Sequence, residues 1–161
     1  DWEVNNPTEL AKVLKTLDRL KIPLMLNFVM TKENYTDAPA FVERFKDRAL
    51  EIQLYFPHYE GLMHAGLGLS IADGMKVARR ALKGADNVFI YNVPPCVAPD
   101  LKDRMRNWQK DDDLMIDPQE TNVGRARYRA GCQPCSLKDD CLGFEAKYVE
   151  IFGDRELQPI R

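Results

Sequence analysis

Apolar residues follow two alternating rhythms through the first ninety or so positions of the chain. Leu10, Val13, Leu14, Leu17 and Leu20 recur at helical spacing behind Asn6, Pro7 and Glu9. Those three suit a helix N-cap, the first helical position and the acidic first turn. Residues 22–30 then form a mostly continuous apolar run interrupted by Asn27. This is the pattern of a strand covered on both faces. The alternation repeats. Asp37 is the expected cap of a second helix with Phe41, Val42, Phe45 and Ala49 inward, and residues 51–56 read as a second strand stopped by Pro57. Ser70 or Asp73 opens a third helix with Ile71, Met75, Ala78, Ala81 and Leu82 inward, closed by Gly84. Residues 87–92 read as a third strand running into Pro94-Pro95-Cys96.

Helix and strand in alternation imply an α/β fold with a parallel sheet and right-handed crossovers. Such sheets gather functional residues in the loops after the carboxyl ends of their strands. Those loops here are residues 31–34, 57–61 and 94–96, so Cys96 is expected at the functional rim. Three strands make a small sheet, and its first strand is very apolar. A free edge of that kind invites association, so something should cover it: further strands, another chain or a second copy.

Beyond Cys96 the rhythm weakens. Leu101, Met105 and Trp108 fit a short amphipathic helix, and Asp111, Asp112 and Asp113 a solvated loop. Alternation across residues 125–129 fits a short edge strand, with Arg125, Arg127 and Arg129 as its charged side. Phe144, Tyr148, Ile151 and Phe152 line one face of a final helix ended by Gly153, followed by a tail over residues 156–161.

Composition narrows the class. A chain of 161 residues, 45% hydrophobic and 30% charged, suffices for a globular domain. A net charge of −2 gives no general attraction to nucleic acid, which is therefore not the expected partner. No apolar run is long enough to span a bilayer, and the start carries no secretory signal pattern. The chain opens at Asp1, as a processed chain or a fragment would. Clustered cysteines, not spread as disulfide staples, favour a reducing cytoplasm.

Those cysteines carry the strongest chemical signal. Cys132, Cys135 and Cys141 form a C-x-x-C-x5-C set, and Cys96 is the fourth and last cysteine of the chain. A C-x-x-C pair has the bite for a tetrahedral metal or one corner of an iron–sulfur cluster, and two further thiolates complete four-sulfur ligation. Spacing alone separates zinc from iron–sulfur hardly at all. Lys138, Asp139 and Asp140 between the second and third cysteines read as solvated.

Several stretches together resemble the C-terminal half of a radical S-adenosylmethionine enzyme carrying an auxiliary domain of the SPASM or Twitch type. They are residues 26–34 after a helix, residues 52–57, Asn92-Val93-Pro94-Pro95-Cys96, the set from Cys132 to Gly143, and a tail containing Tyr148, Phe152, Gly153, Glu156 and Pro159. The resemblance covers nearly the whole chain, and the position of the cysteine set is its specific part. It implies a three-stranded parallel half-barrel, the last part of a partial TIM-type barrel, over residues 1–98. A small Cys-rich auxiliary domain would follow over 99–161. It implies a 4Fe–4S cluster on Cys96, Cys132, Cys135 and Cys141, and contacts to S-adenosylmethionine from Asn27 and Gln53, with Tyr91 a weaker match. The family's C-x-x-x-C-x-x-C motif for the catalytic cluster is absent, since no cysteine precedes Cys96. By this reading the chain is inactive alone and needs an N-terminal half-barrel, as a missing segment or a partner, or associates with itself through the sheet edge. The substrate would be a peptide or small molecule. The rival expectation is a non-catalytic α/β module stapled by zinc that binds or completes a partner.

Other residues carry less. His58 and His64 lack metal-ligand spacing and read as surface-loop residues. Glu60 follows a strand end and is a speculative substrate contact. Gly61, Gly66 and Gly68 do not make a dinucleotide-binding fingerprint.

Overall fold

The computed structural model describes residues 7–59, 66–106 and 126–161. The expected cap at Asn6, the loop residues Glu60, Gly61 and His64, Trp108, Asp111–Asp113 and Arg125 lie outside them.

Helix α1 (Pro7–Leu20) leads into strand β1 (Met25–Val29). A 3-10 turn at Tyr35–Asp37 precedes helix α2 (Ala38–Phe45), in which Asp37 makes no side-chain cap bond. Strand β2 (Glu51–Tyr55), helix α3 (Ile71–Ala81) and strand β3 (Val88–Tyr91) follow. Ser70 caps α3, its hydroxyl accepting from the Asp73 N–H. After a 3-10 helix at Pro99–Arg104 comes strand β4 (Met105–Arg106). The sheet is parallel throughout, in the order β1-β2-β3-β4.

Two expectations about the sheet need correction. The sheet has four strands, not three, because the stretch expected to be a helix on Leu101 and Met105 is a 3-10 helix followed by β4. Two residues of strand carry almost no periodicity. What places them is Met105, buried in the core, and Arg104, whose guanidinium donates to the carbonyls of Val88 (3.1 Å) and Ala85. The second correction concerns β1, which is covered on one face only. Met25 and Val29 are 56% and 48% exposed.

The register explains why. Leu26 and Phe28, Ile52 and Leu54, Val88 and Ile90, and Met105 share one face. That face carries the core, with Val42, Phe45, Met75 and Ala78 from α2 and α3. Met25, Asn27 and Val29, Glu51, Gln53 and Tyr55, Phe89 and Tyr91, and Arg106 share the other. α2 and α3 serve only the first face. β1 and β4 are the sheet's edges.

The C-terminal residues join the same core, so the separate Cys-rich auxiliary domain expected over residues 99–161 is not supported. Strand β5 (Ala126–Arg127) pairs antiparallel with β6 (Phe144–Glu145), and helix α4 (Ala146–Phe152) follows, ended by Gly153 at φ 77°. Phe144, expected on the final helix, lies in β6 instead, and with Tyr148 and Leu157 it is buried with the sheet residues. Tyr59, Phe144, Tyr148 and Phe152 form an aromatic cluster with ring centroids 4.9–5.8 Å apart. The docking is also polar. The Tyr148 hydroxyl accepts the Ile71 N–H (2.8 Å) and donates to Glu156 Oε2 (2.5 Å), and the same oxygen accepts the Ala72 N–H at 3.2 Å. The first N–H groups of a helix have no partner within it and carry its positive dipole end, so a phenol oxygen and a carboxylate suit them. Among the described residues no helix is long and apolar enough to cross a membrane.

α3 lies close to the end of β2. A Cβ on Gly74 would stand 2.5 Å from Cε1 of Phe56, itself nearly fully buried. Gly74→Ala is therefore expected to destabilise the fold by about 1–3 kcal/mol despite alanine's better helix propensity. Urea unfolding checks this, and an unchanged or raised midpoint would show that Phe56 yields freely.

Candidate metal centre

The three clustered cysteines are held by a run of tight turns. Cys132 ends a 3-10 turn over Ala130–Cys132, the Cys135 N–H donates to the Cys132 carbonyl (3.1 Å), and the Cys141 N–H to the Leu137 carbonyl (2.8 Å). The tail fastens this segment. The Arg129 guanidinium donates to the carbonyls of Asp154 (2.6 Å) and Leu157 (2.8 Å), and the Ser136 N–H donates to the Ile160 carbonyl (2.8 Å). Arg129, read from sequence as part of a charged edge, is thus a tail anchor.

Cys96 arrives from the sheet. β3 ends at Tyr91, Asn92 turns the chain at φ 65°, and Pro94 and Pro95 lead into a 3-10 turn at Pro95–Val97. All four cysteines line one pocket, enclosing about 460 Å3 of space including its open mouth. Proline, leucine and phenylalanine side chains supply most of the remaining wall, with Tyr128 and Lys138 its polar members. Each sulfur belongs to a half-buried cysteine outside any disulfide. Gly143, at φ 86°, donates its N–H to Cys141 Sγ at 3.3 Å.

Burial pushes the Cys96 thiol up to about 12, and the charges that Cys141, Cys132 and Cys135 would carry push in the same direction. Burial therefore disfavours a thiolate at Cys96. Among the described residues no three His, Cys, Asp or Glu side chains already stand as a ready metal-binding group. The four thiols share a wall without closing a cage. The donor set nevertheless fits a thiolate-bound metal group: four sulfurs, no disulfide, no carboxylate in the wall, and a largely apolar lining in which a cation would offset the thiolate charge.

Asn27, Gln53 and Tyr91 lie on the helix-free face. Asn27 and Gln53 are register partners across β1 and β2. Gln53 Nε2 donates to Glu51 Oε1 (2.7 Å) and to the Tyr91 hydroxyl (3.2 Å), which itself donates to Glu51 Oε1 (2.7 Å). Burial, followed by the bond to Glu51, raises the Tyr91 phenol. Tyr55 stacks on Tyr91 with centroids 4.7 Å apart. Gln53 and Tyr91 are thereby brought together while Asn27 stays exposed. Glu51 and Tyr55 were missed from sequence, although their i, i+2, i+4 spacing with Gln53 was a usable signal.

At neutral pH Cys96 is expected to be the slowest of the four cysteines to alkylate with iodoacetamide, gaining rate as pH rises towards 12. Peptide mass spectrometry across a pH series reads this directly, and Cys96 labelling first at pH 7 would contradict its burial.

No protein-family model, no curated protein and no solved structure matches the chain.

Proposed function

We propose that the chain is a portion of a radical S-adenosylmethionine enzyme that binds an auxiliary 4Fe–4S cluster on Cys96, Cys132, Cys135 and Cys141. The observation that carries this reading is the convergence of four cysteines, from the rim of a parallel sheet and from a distant turn-rich segment, on one largely apolar pocket. A cluster held there supplies electron transfer or structural support. The chain's own part is to present the sulfurs, to exclude water with Pro94, Pro95, Leu157 and Pro159, and to offset charge on Cys141 with the Gly143 N–H. On the helix-free face, Asn27, Gln53 and Tyr91 are the proposed S-adenosylmethionine contacts. The Gln53 amide nitrogen is engaged by Glu51 and Tyr91, so its contact would run through the carbonyl oxygen. The chain lacks the catalytic cluster motif, and this reading makes it inactive alone.

Anaerobic reconstitution with iron and sulfide should give a brown protein with about four irons per chain, and Cys96→Ser should lose most of it. A colourless protein that takes one zinc and no cluster would instead favour the zinc-stapled module.

The same reading requires cover for β1. Leu20, Ile22, Met25 and Val29 are large apolar residues exposed on or just before this edge strand, and parallel sheets normally bury both faces. An N-terminal half-barrel, in the same polypeptide or in a partner, is the proposed cover. Sedimentation of the isolated chain should show concentration-dependent association, which lysines at Met25 and Val29 should suppress. A stable wild-type monomer with an intact sheet would argue against a missing half.

A further inference from the structure

His58, Asn92 and Glu145 form a polar cluster at the carboxyl end of the sheet, apart from the residues used above. His58 lies just past β2, Asn92 just past β3, and Glu145 ends β6. His58 Nδ1 is 3.2 Å from Glu145 Oε1, and Glu145 Oε2 accepts the Tyr59 N–H at 3.0 Å. His58 Nε2 is 3.3 Å from Asn92 Nδ2, which also donates to the Phe56 carbonyl at 3.1 Å.

These contacts select one tautomer. The Phe56 carbonyl only accepts, so the Asn92 group facing it must be the amide N–H, and that group can offer His58 only a donor. An ionised Glu145 only accepts. Nδ1 therefore carries the proton and Nε2 holds a lone pair. The Glu145 side chain is 17% exposed and tethered to backbone, whereas the His58 side chain is 44% exposed. A fixed carboxylate behind an accessible imidazole is the arrangement that orients a base and stabilises its cation. Asn92 holds its place with a left-handed backbone at φ 65°, a conformation that needs support from its surroundings.

We propose that His58 is a proton-transfer residue at the rim of the sheet, positioned by Glu145, and that its Nε2 receives a proton from a ligand presenting an O–H or N–H group. The ligand's donor replaces the long contact from Asn92. Its X–H bond breaks with the electron pair left on X, an N–H bond forms at Nε2, and Glu145 balances the imidazolium. Asn92, facing Nε2 with a donor, disfavours the charged ring and so favours return of the proton. The proposal stands independently of the cysteine centre.

The test uses the whole chain labelled with 15N in histidine and diethyl pyrocarbonate as the probe of an unprotonated ring nitrogen. Long-range 1H–15N spectra should show His58 as the Nδ1–H tautomer. Glu145→Gln should mix the tautomers and slow carbethoxylation of His58 about five- to tenfold, and Glu145→Asp should restore part of the rate. Asn92→Ala should speed it, whereas a purely structural clasp, loosened by either substitution, would move both rates the same way. An Nε2–H tautomer in the wild type overturns the proposal. So does a His58 carbethoxylation rate that Glu145→Gln and Asn92→Ala leave unchanged or move in the same direction. If Glu145→Gln does not fold, the wild-type tautomer and the Asn92→Ala rate still decide.

Discussion

The capture of the α3 N-terminus by Tyr148 and Glu156 is the contact on which the functional end of this molecule depends. α3 begins near the rim, with Gly74 close to Phe56 just past β2, and its first N–H groups need acceptors. Ser70 supplies one from within the local sequence. Tyr148 and Glu156 supply the others from the far end of the chain. Burial and the bond to Glu156 both raise the Tyr148 phenol and keep it neutral. Tyr148 also sits in the aromatic cluster with Tyr59, Phe144 and Phe152, so one residue joins apolar docking to polar docking. This fixes the cysteine-bearing segment against the sheet and brings Cys132, Cys135 and Cys141 to the pocket that Cys96 enters from β3.

The sheet gives the molecule two unlike sides. One face is filled by α2 and α3 and by the aliphatic residues of all four strands. The other carries a hydrogen-bonded group of Glu51, Gln53 and Tyr91, a stacked tyrosine pair, and exposed Met25 and Val29. A sheet that spent its whole life in water would normally present either helices or a consistently polar surface there. The mixture of satisfied polar groups with bare apolar ones is why partner and cofactor proposals both fall on this side.

Much of the fold was legible because it is local. Helical spacing marks α1, α2, α3 and α4 in the sequence, the Ser70 cap is visible as a residue type, and the strands β1 to β3 fall inside the expected apolar runs. The misreadings have physical causes. β4 is two residues long, and its pairing is decided by Met105 burial and Arg104 reaching two carbonyls. The apolar run in β1 signals a doubly covered strand, yet no helix of the described chain lies on its second face. His58 read as a loop residue because its partners, Asn92 and Glu145, come from segments far away in sequence.

The sequence by itself determined that Cys132, Cys135 and Cys141 fall within ten residues of one another, and it determined the strand–helix alternation that sends Cys96 to a rim. Tertiary structure alone decided that Cys96 meets the other three, that Glu156 caps a helix begun some eighty positions earlier, and that Glu145 stands behind His58. These contacts join residues whose separation no periodicity encodes. They exist because an aromatic cluster and the orphan N–H groups of one helix leave the C-terminal segment a single well-satisfied place to dock.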